Sequence, residues 1–248
     1  MLDCHSHLLD ITNFSSDFFL ASLEECHIRK IYCNIVDVKQ WSSLSSLTEK
    51  YPQIIPFFGI HPWHITHFSF NDLEPLADLL RKELSCCGEI GLDRRCDTDF
   101  LLQKKMFVKQ LDLAKDTQSF VAIHCVKAWG PLLEILAGYQ GKISFMIHSF
   151  QGSREVMERL VAMGGMISFS DRVMQSKQKK LQEVLKVTPL ENLLLETDFP
   201  FQTSIEGSSS KIYCQVLSNL YTFVARLREI SASDLSQIIE RNGSICTY

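Results

Sequence analysis

Residues 85–124 read SCCGEIGLDRRCDTDFLLQKKMFVKQLDLAKDTQSFVAIH, and this stretch decides the fold. Ser85–Ile90 and Phe120–His124 are short runs, mostly apolar at odd and even positions alike, as is typical of strands buried on both faces of a parallel sheet. Between them, Phe100–Ala114 repeats apolar residues at spacings of three and four, which predicts an amphipathic helix. The stretch therefore predicts a strand–helix–strand unit.

The same alternation extends along the rest of the chain. Further short apolar runs predict strands at Met1–Cys4, Ile31–Asp37, Ile54–Ile60, Ile143–His148, Gly165–Phe169 and Leu193–Glu196, and helical patterns occur at Ser153–Met163, Lys177–Val187 and Ile212–Glu229. Eight strands in 248 residues give one strand per 31 residues, about the length of a strand–helix unit. We expect one α/β domain over residues 1–248, a (β/α)8 TIM barrel, with an open doubly wound sheet as the alternative.

Composition and charge exclude several classes of protein. The chain is 46% hydrophobic and 22% charged, which is ordinary for a globular protein and excludes a disordered or fibrous one. Its 25 Lys and Arg against 29 Asp and Glu give a formal net charge of −4, whereas a protein that coats DNA is strongly basic. An enzyme that handles phosphate at one site is still allowed, because a metal can supply positive charge locally.

Targeting signals are missing from the sequence. The start of the chain lacks the basic and apolar regions of a signal peptide, and no apolar run approaches the ~18 residues needed to span a bilayer. The nine cysteines are scattered without a Cys-x-x-Cys pair, which favours reduced thiols. We therefore expect a cytoplasmic protein with no membrane contact, and the sequence indicates no obligate protein partner.

Imidazoles and carboxylates recur where the predicted strands end. The six residues at these positions are His5, His7, Glu89, His124, His148 and Asp198. In a barrel the carboxyl ends of the strands meet at one rim, where barrel enzymes place their active sites. Carboxylates and histidines buried together need a compensating cation. The pattern therefore predicts a metal centre at this rim.

The donor types narrow the choice of metal without identifying it. Nitrogen and oxygen ligands suit Zn²⁺, Mn²⁺, Fe²⁺, Co²⁺ or Ni²⁺, and carboxylates also hold Mg²⁺. His5 and His7 lie two residues apart on a strand, so both point to the same side. Six ligands are too many for one tetrahedral ion, and two divalent ions bridged by Glu89 fit better. We expect Asp198 to orient or deprotonate the attacking water and Glu196 to hydrogen-bond a ligand histidine.

Six motifs occur in a fixed order from Met1 to about Phe201. They are Asp3-Cys-His5-Ser-His7, Gly59-Ile-His61-Pro62, Gly88-Glu89-Ile-Gly91-Leu-Asp93, Ile123-His124, Ile147-His148-Ser-Phe150-Gln-Gly152 and Glu196-Thr-Asp198-Phe-Pro200. In this order they resemble the motifs of the TatD-type metal-dependent deoxyribonucleases, a family of the amidohydrolase-like barrel superfamily. The resemblance implies a divalent-metal hydrolase of DNA phosphodiester bonds in which these six histidines and carboxylates ligate the metals. It also implies that His61 contacts the substrate phosphate.

The sequence departs from the family pattern at residues expected to contact the substrate rather than at the expected metal ligands. Arg94-Arg95 stands where relatives usually carry an aromatic residue, and Lys127 replaces a common arginine, keeping its charge but losing the planar fork that contacts phosphate. Relatives carry a basic loop after the Thr-Asp-x-Pro motif, whereas residues 201–211 here read FQTSIEGSSSK. Lys127 is still expected to bind substrate together with His61, but the altered loop leaves the identity of the substrate open.

Three functions therefore stay open. The first is hydrolysis of nucleic acid by an activated water, with single strands or frayed ends as substrate because a net charge of −4 gives little attraction to long duplexes. Trp63 and Phe150 are predicted in rim loops, where they could stack on a base. The second is hydrolysis of a carboxylic ester or amide by the same barrel. The third is a non-catalytic barrel that binds a metal or a partner.

Overall fold

The computed structural model describes residues 1–11, 15, 23–67, 73–82, 85–201 and 210–244. Its eight strands form one sheet in which neighbours along the chain pair in parallel. The strands are β1 Leu2–Ser6, β2 Lys30–Asn34, β3 Ile54–Phe58, β4 Cys86–Asp93, β5 Val121–Val126, β6 Phe145–Ile147, β7 Met166–Phe169 and β8 Leu193–Leu195. The predicted (β/α)8 barrel is confirmed.

Helices cover the outside of the sheet. The α-helices of the described residues that have defined ends are α1 Trp41–Lys50, α2 Leu73–Leu80, α3 Phe100–Thr117, α4 Trp129–Ala137, α5 Arg154–Ala162, α6 Lys179–Val187, α7 Ser210–Leu227 and α8 Ala232–Gly243. Every residue of β1, β3, β4, β6, β7 and β8 is buried, because the barrel interior covers one face and the helices cover the other. No helix of the described residues is both long and apolar enough to cross a membrane.

Helix α3 shows how the sequence builds one of these layers. Asp99 caps its start by accepting a hydrogen bond from the Leu102 N–H at 2.8 Å, and Gln118 ends it in the left-handed region with a φ of 56°. Its buried face includes Phe107 and Leu111, which fit the spacing that predicted the helix. The polar residues of that face do not pack in the core but bond to loops of the barrel mouth, as described below.

The seam between the first and last strands is closed by Asp3. Its Oδ1 accepts the Thr197 N–H at 2.9 Å, and its Oδ2 accepts the hydroxyls of Thr197 at 2.7 Å and Tyr213 at 2.9 Å. Burial raises the pKa of Asp3 to about 7, although these hydrogen bonds act to lower it. The first residue of the Asp-x-His-x-His motif thus joins β1 to the segment after β8 and to α7.

Replacing Asp3 with Ala is expected to lower the free energy of unfolding by about 3 kcal/mol, because several buried donors lose their acceptor at once. Urea unfolding followed by circular dichroism measures this change. Asp37→Ala is the matched control, since the Asp37 side chain accepts only the Lys39 N–H at a helix start and its loss is expected to cost about 1 kcal/mol. A loss at Asp3 no larger than that at Asp37 would contradict the closure role.

One expectation about the cysteines is wrong. Cys26 and Cys214 form a disulfide, with Cα atoms 5.5 Å apart and a sequence separation of 188, whereas the scattered spacing favoured reduced thiols throughout. Both side chains are buried where α7 packs near the segment before β2. Sequence spacing could not reveal this pair, because only the fold brings the two residues together.

Candidate metal centre

The six predicted ligands lie together in the mouth of the barrel. His5 lies in β1, His7 directly follows it, and Asp198 lies in the segment after β8. Glu89, His124 and His148 come from β4, from β5 and from the residue after β6. All six are buried, with His124 the most exposed at 8%. Glu89 and His124 sit within their strands rather than at the ends, because β4 and β5 extend further than the apolar runs indicated.

Glu89 occupies the centre of the cluster, and its two oxygens face different histidines. Distances from Oε1 are 2.6 Å to His124 Nδ1, 2.8 Å to His148 Nε2 and 3.5 Å to His61 Nε2. Distances from Oε2 are 3.4 Å to His5 Nε2 and 3.7 Å to His7 Nε2. A carboxylate placed between two groups of imidazoles is the arrangement that a bridging ligand needs.

Asp198 approaches the same histidines from the far side. Its Oδ1 lies 3.3 Å from His7 Nε2 and 3.8 Å from His5 Nε2. Its N–H donates to the His5 carbonyl at 2.9 Å, and the His7 N–H donates to the Phe199 carbonyl at 2.7 Å. The φ of Asp198 is 53°, a conformation that non-glycine residues rarely adopt. These backbone bonds hold the carboxylate against β1.

The donor atoms form three groups that fit a divalent cation. The groups are His5 with His148 and Asp198, His5 with His7 and Glu89, and His61 with Glu89 and His124, and within each the ligand atoms lie within 4.8 Å of one another. Among the described residues, Nδ1 of His5, Nδ1 of His7 and Oδ2 of Asp198 are buried without a hydrogen-bond partner. Buried polar atoms normally have partners, so the donor types and the unpaired Oδ2 of Asp198 fit a metal site, which His5 and His7 face through Nε2.

Protons supply the positive charge of the cluster when no cation is bound. Burial alone would raise the pKa of Glu89, but the charges of His148 and His124 hold it well below its usual range. Burial would lower the pKa of His148, yet Glu89 and Glu196 raise it well above its usual range. Anionic carboxylates thus lie against protonated imidazoles, and a divalent ion would displace those protons because it binds neutral histidine.

His61 differs from the other histidines of the cluster. Burial lowers its pKa to about 4, with Glu89 opposing the shift only in part, so the ring is neutral at pH 7. Its Nδ1 accepts the Trp63 N–H at 3.3 Å, which leaves the proton of the neutral ring on Nε2. His61 therefore presents a hydrogen-bond donor toward the pocket.

Carboxylates next to the ligands orient them. Glu196 Oε1 lies 3.3 Å from His148 Nδ1 and accepts the Ser149 N–H at 2.7 Å, the geometry that a positioning role requires. Asp93 accepts the Arg95 N–H at 2.7 Å and the Trp63 indole N–H at 2.9 Å. Burial would raise the pKa of Asp93, but hydrogen bonds from His124 and Trp63 lower it to about 2. Asp93 thus braces the loop after β4.

Two buried glutamines of α3 fix the loops that carry these residues. Gln110 pairs with the backbone of Ile60, with its Oε1 2.7 Å from the N–H and its Nε2 3.2 Å from the carbonyl oxygen. Gln103 pairs in the same way with the backbone of Asp93, at 2.8 and 2.9 Å. The spacing of seven residues places both amides on one face of the helix.

Gly91 permits the close approach of β4 to β5. Its φ is 152°, and a Cβ at this position would lie 2.0 Å from the His124 carbonyl oxygen. A side chain here would push β5 away and displace His124. The glycine therefore relieves crowding between β4 and β5 beside the candidate ligands.

A pocket of about 720 Å³ opens over the cluster. His61 and five of the six predicted ligands line it, together with rim residues that include Trp63, Arg95, Gln151, Arg172 and Phe201. Trp63 is 51% exposed and Phe201 is 55% exposed, and the Phe201 ring meets the His7 ring edge-on at 4.8 Å. Lys127 is exposed at the end of β5 and is not among the lining residues.

One rim residue was predicted wrongly and others were missed. Phe150 is buried against Trp129 and Phe169, so it cannot stack on a substrate base as expected. Phe201 takes the exposed aromatic position instead. The altered loop after Pro200 falls on residues 202–209, which lie outside the described residues.

Known proteins resemble this chain in sequence and in fold. A family model described as TatD related DNase matches residues 2–245. The chain belongs to the TatD family. It is 26% identical to the uncharacterized metal-dependent hydrolase YjjV of Escherichia coli K12 over 249 residues, which cover 97% of this chain and 95% of YjjV. Identity reaches 30% with the 3'-5' ssDNA/RNA exonuclease TatD of Pantoea vagans C9-1 over 193 residues, 75% of this chain and 74% of that one.

The solved structures agree with this assignment. The crystal structure of YjjV from Escherichia coli K12, a TatD homologue, superposes with a TM-score of 0.87 and covers 100% of this chain and 97% of its own. A TatD family hydrolase from Entamoeba histolytica has a TM-score of 0.83 at 18% identity, covers 100% of this chain and 98% of its own, and shows the shared fold. As a TatD family member, the protein is a metal-dependent hydrolase.

Proposed function

We propose that this TatD family hydrolase cleaves phosphodiester bonds of single-stranded DNA at a site that holds two divalent ions. The observation that carries the proposal is Glu89, whose two oxygens face separate groups of imidazoles beneath an open pocket. Sites with two bridged ions are common among enzymes that cleave phosphate esters. The Pantoea vagans relative, named as a single-strand DNA and RNA exonuclease, supports the same chemistry.

The chain offers ligands for both ions. His5, His7 and Asp198 with one oxygen of Glu89 would hold the first ion, and His124 and His148 with the other oxygen would hold the second. The chemistry that divalent ions supply at such a site is charge stabilisation of the phosphoryl group and acidification of water.

Asp198 and His61 would act directly on the reacting groups. Burial would raise the pKa of Asp198, but the hydrogen bond from His7 and the charge of His148 lower it, so Asp198 is a carboxylate at pH 7. Its Oδ2, which has no hydrogen-bond partner among the described residues, can orient the attacking water and accept its proton. His61 Nε2–H can donate to a phosphoryl oxygen as negative charge develops there. Lys127 is exposed after β5 and does not line the pocket, so it would place a positive charge only beside a part of the substrate that lies outside the pocket.

The test compares four kinds of substrate with one metal-loaded preparation. We expect turnover of a single-stranded oligonucleotide and slower turnover of bis(p-nitrophenyl) phosphate, with little hydrolysis of p-nitrophenyl acetate or aminoacyl amides. Faster hydrolysis of the carboxylic substrates would favour the ester or amide alternative. That alternative stays open because residues 201–211 lack the basic loop of the family pattern. If no substrate is turned over with Mg²⁺, Mn²⁺, Zn²⁺, Co²⁺, Ni²⁺ or Fe²⁺, the result would favour a non-catalytic barrel that binds a metal or a partner.

The two exposed rim aromatics are expected to stack on bases of the substrate. Stacking of one base on an aromatic side chain contributes about 1–3 kcal/mol, so Trp63→Ala and Phe201→Ala should each raise KM for an oligonucleotide about tenfold. Leu101→Ala is the matched control, because Leu101 is 64% exposed on α3 and does not line the pocket. Steady-state kinetics on a labelled oligonucleotide measures the effect.

A conservative variant separates stacking from a structural role of Trp63. Trp63→Phe keeps an aromatic face but loses the indole N–H that donates to Asp93 at 2.9 Å. If stacking matters, this variant should retain most of the affinity that Trp63→Ala loses. Equal losses in the two variants would assign the effect to the bond with Asp93 instead.

A further inference from the structure

Two arginines line the pocket and have no ion-pair partner among the described residues. Arg95 follows β4, and Arg172 lies in the 3₁₀ helix Asp171–Met174 after β7. Among the described residues no carboxylate lies within 4 Å of either guanidinium, although Asp97 lines the same pocket. Other arginines of the chain are engaged: Arg29 pairs with Glu240, Arg81 with Asp78, and Arg154 with Glu158.

Contacts to its guanidinium and to the turn that carries its backbone hold Arg172 in place. A guanidinium nitrogen donates to Gln151 Oε1 at 3.1 Å, which directs the side chain along the rim. Its backbone belongs to a turn whose residues Asp171 and Val173 are buried, and the Gln182 amide donates to the Val173 carbonyl at 2.9 Å. A cation fixed in this way loses little freedom when it binds an anion.

Only one arginine of the Arg94-Arg95 pair is available in the same way. Arg94 lies over the Phe100 ring at 4.0 Å and does not line the pocket. Arg95 lines the pocket, and its N–H donates to Asp93 Oδ1 at 2.7 Å, so its position is tied to the metal cluster. The exposed Lys127 does not line the pocket.

Charge explains why such cations are needed beyond the metal cluster. Glu89, Asp93 and Asp198 make the floor of the pocket acidic, and bound divalent ions would compensate only the phosphate that they contact. The other phosphates of a polynucleotide lie further out, where a planar guanidinium can form paired charge-assisted hydrogen bonds with them. Residues 201–211 supply only one base for this purpose, Lys211.

We propose that Arg172 and Arg95 bind the phosphates that flank the scissile phosphodiester, and so make this site select a polynucleotide over a small phosphodiester. The inference rests on the proposed nuclease function and deepens it. The two residues come from the loops after β7 and β4, so they supply cations that residues 201–211, with one base, largely lack.

The experiment compares Arg172→Gln, Arg95→Gln and the double variant with wild type, with Arg29→Gln as the matched control. Arg29 precedes β2, at the opposite end of the barrel, and is 77% exposed. Each pocket variant should lower kcat/KM for a single-stranded oligonucleotide about tenfold. Hydrolysis of bis(p-nitrophenyl) phosphate, which has no flanking phosphate, should stay unchanged, as should both activities of Arg29→Gln.

Binding gives a second readout that does not need turnover. Fluorescence anisotropy with a hydrolysis-resistant phosphorothioate oligonucleotide should show about tenfold weaker binding for each pocket variant. The slope of log affinity against log salt should fall by about 0.7 for each phosphate that the variant no longer neutralises. If wild type cleaves no phosphodiester, the proposed function fails, and this binding comparison still decides the role of the arginines.

Substrates with neutral methylphosphonate links beside the scissile bond allow a double-mutant cycle between each arginine and the phosphate that it is proposed to bind. If an arginine contacts such a phosphate, neutralising that link should weaken wild-type binding about tenfold and have no further effect in the variant that lacks the arginine. The proposal is overturned if the double variant binds and cleaves oligonucleotides like wild type, if wild type does not bind them, or if both phosphodiester substrates lose activity equally.

Discussion

Asp198→Asn is expected to lower kcat on a single-stranded oligonucleotide by about 10²–10⁴-fold and to leave the fold intact. The amide has the shape of the carboxylate and leaves the backbone bond to the His5 carbonyl in place. It cannot accept a proton from water, however, and it removes the negative charge that lies 3.3 Å from His7 Nε2. The expected loss is therefore in the chemical step rather than in folding.

The control for this substitution lies in the same pocket. Asp97 lines the pocket but is exposed and belongs to none of the three candidate ligand groups, so Asp97→Asn should keep kcat within about twofold. Metal content by elemental analysis and thermal unfolding by circular dichroism accompany the kinetics for both variants. A well-folded, metal-loaded Asp198→Asn protein with near wild-type kcat would remove Asp198 from the proposed proton transfer.

Burial on both faces is the reason the barrel could be predicted from sequence. A strand enclosed by the barrel interior and by helices must be apolar at every position, so β3 and β8 appear as short uninterrupted apolar runs. Strand ends were less predictable, and β4 reaches Asp93 because its pairing with β5 resumes after an irregularity between Cys87 and Ile90. That extension carries Glu89 into the strand, although its side chain still reaches the mouth.

The clustering of the six candidate ligands was predictable from the sequence, and the residues of the pocket rim were not. Histidines next to apolar strand runs, such as His148, are conspicuous because burying them requires a partner. Arg172 lies only three residues beyond β7, so its position in the sequence is enough to place it at the rim of the barrel. The sequence does not show, however, whether its guanidinium forms an ion pair. The same holds for the aromatic residues, since exposure at Phe201 and burial at Phe150 depend on loop paths that local pattern does not encode.

Removing divalent metal is expected to abolish turnover and to lower Tm by about 10 °C relative to the metal-saturated protein. At a metal concentration about 1,000 times Kd, binding contributes about 4 kcal/mol to the stability of the folded state. For a chain of this size each kcal/mol shifts Tm by about 2–4 °C. The physical source is the buried cluster, whose carboxylates must otherwise be neutralised by protons on the histidines.

Glu89→Gln tests whether this stabilisation arises in the proposed centre. Because Glu89 faces both histidine groups, its substitution should remove most of the metal-dependent rise in Tm and reduce bound metal from two equivalents. Trp63→Ala, at the rim of the same pocket, should keep both. Differential scanning calorimetry with and without EDTA, followed by metal addition, measures the shift and its reversal. If Glu89→Gln kept the full metal-dependent rise in Tm, the stabilising ion would bind elsewhere, and a bridging carboxylate could not be part of the mechanism.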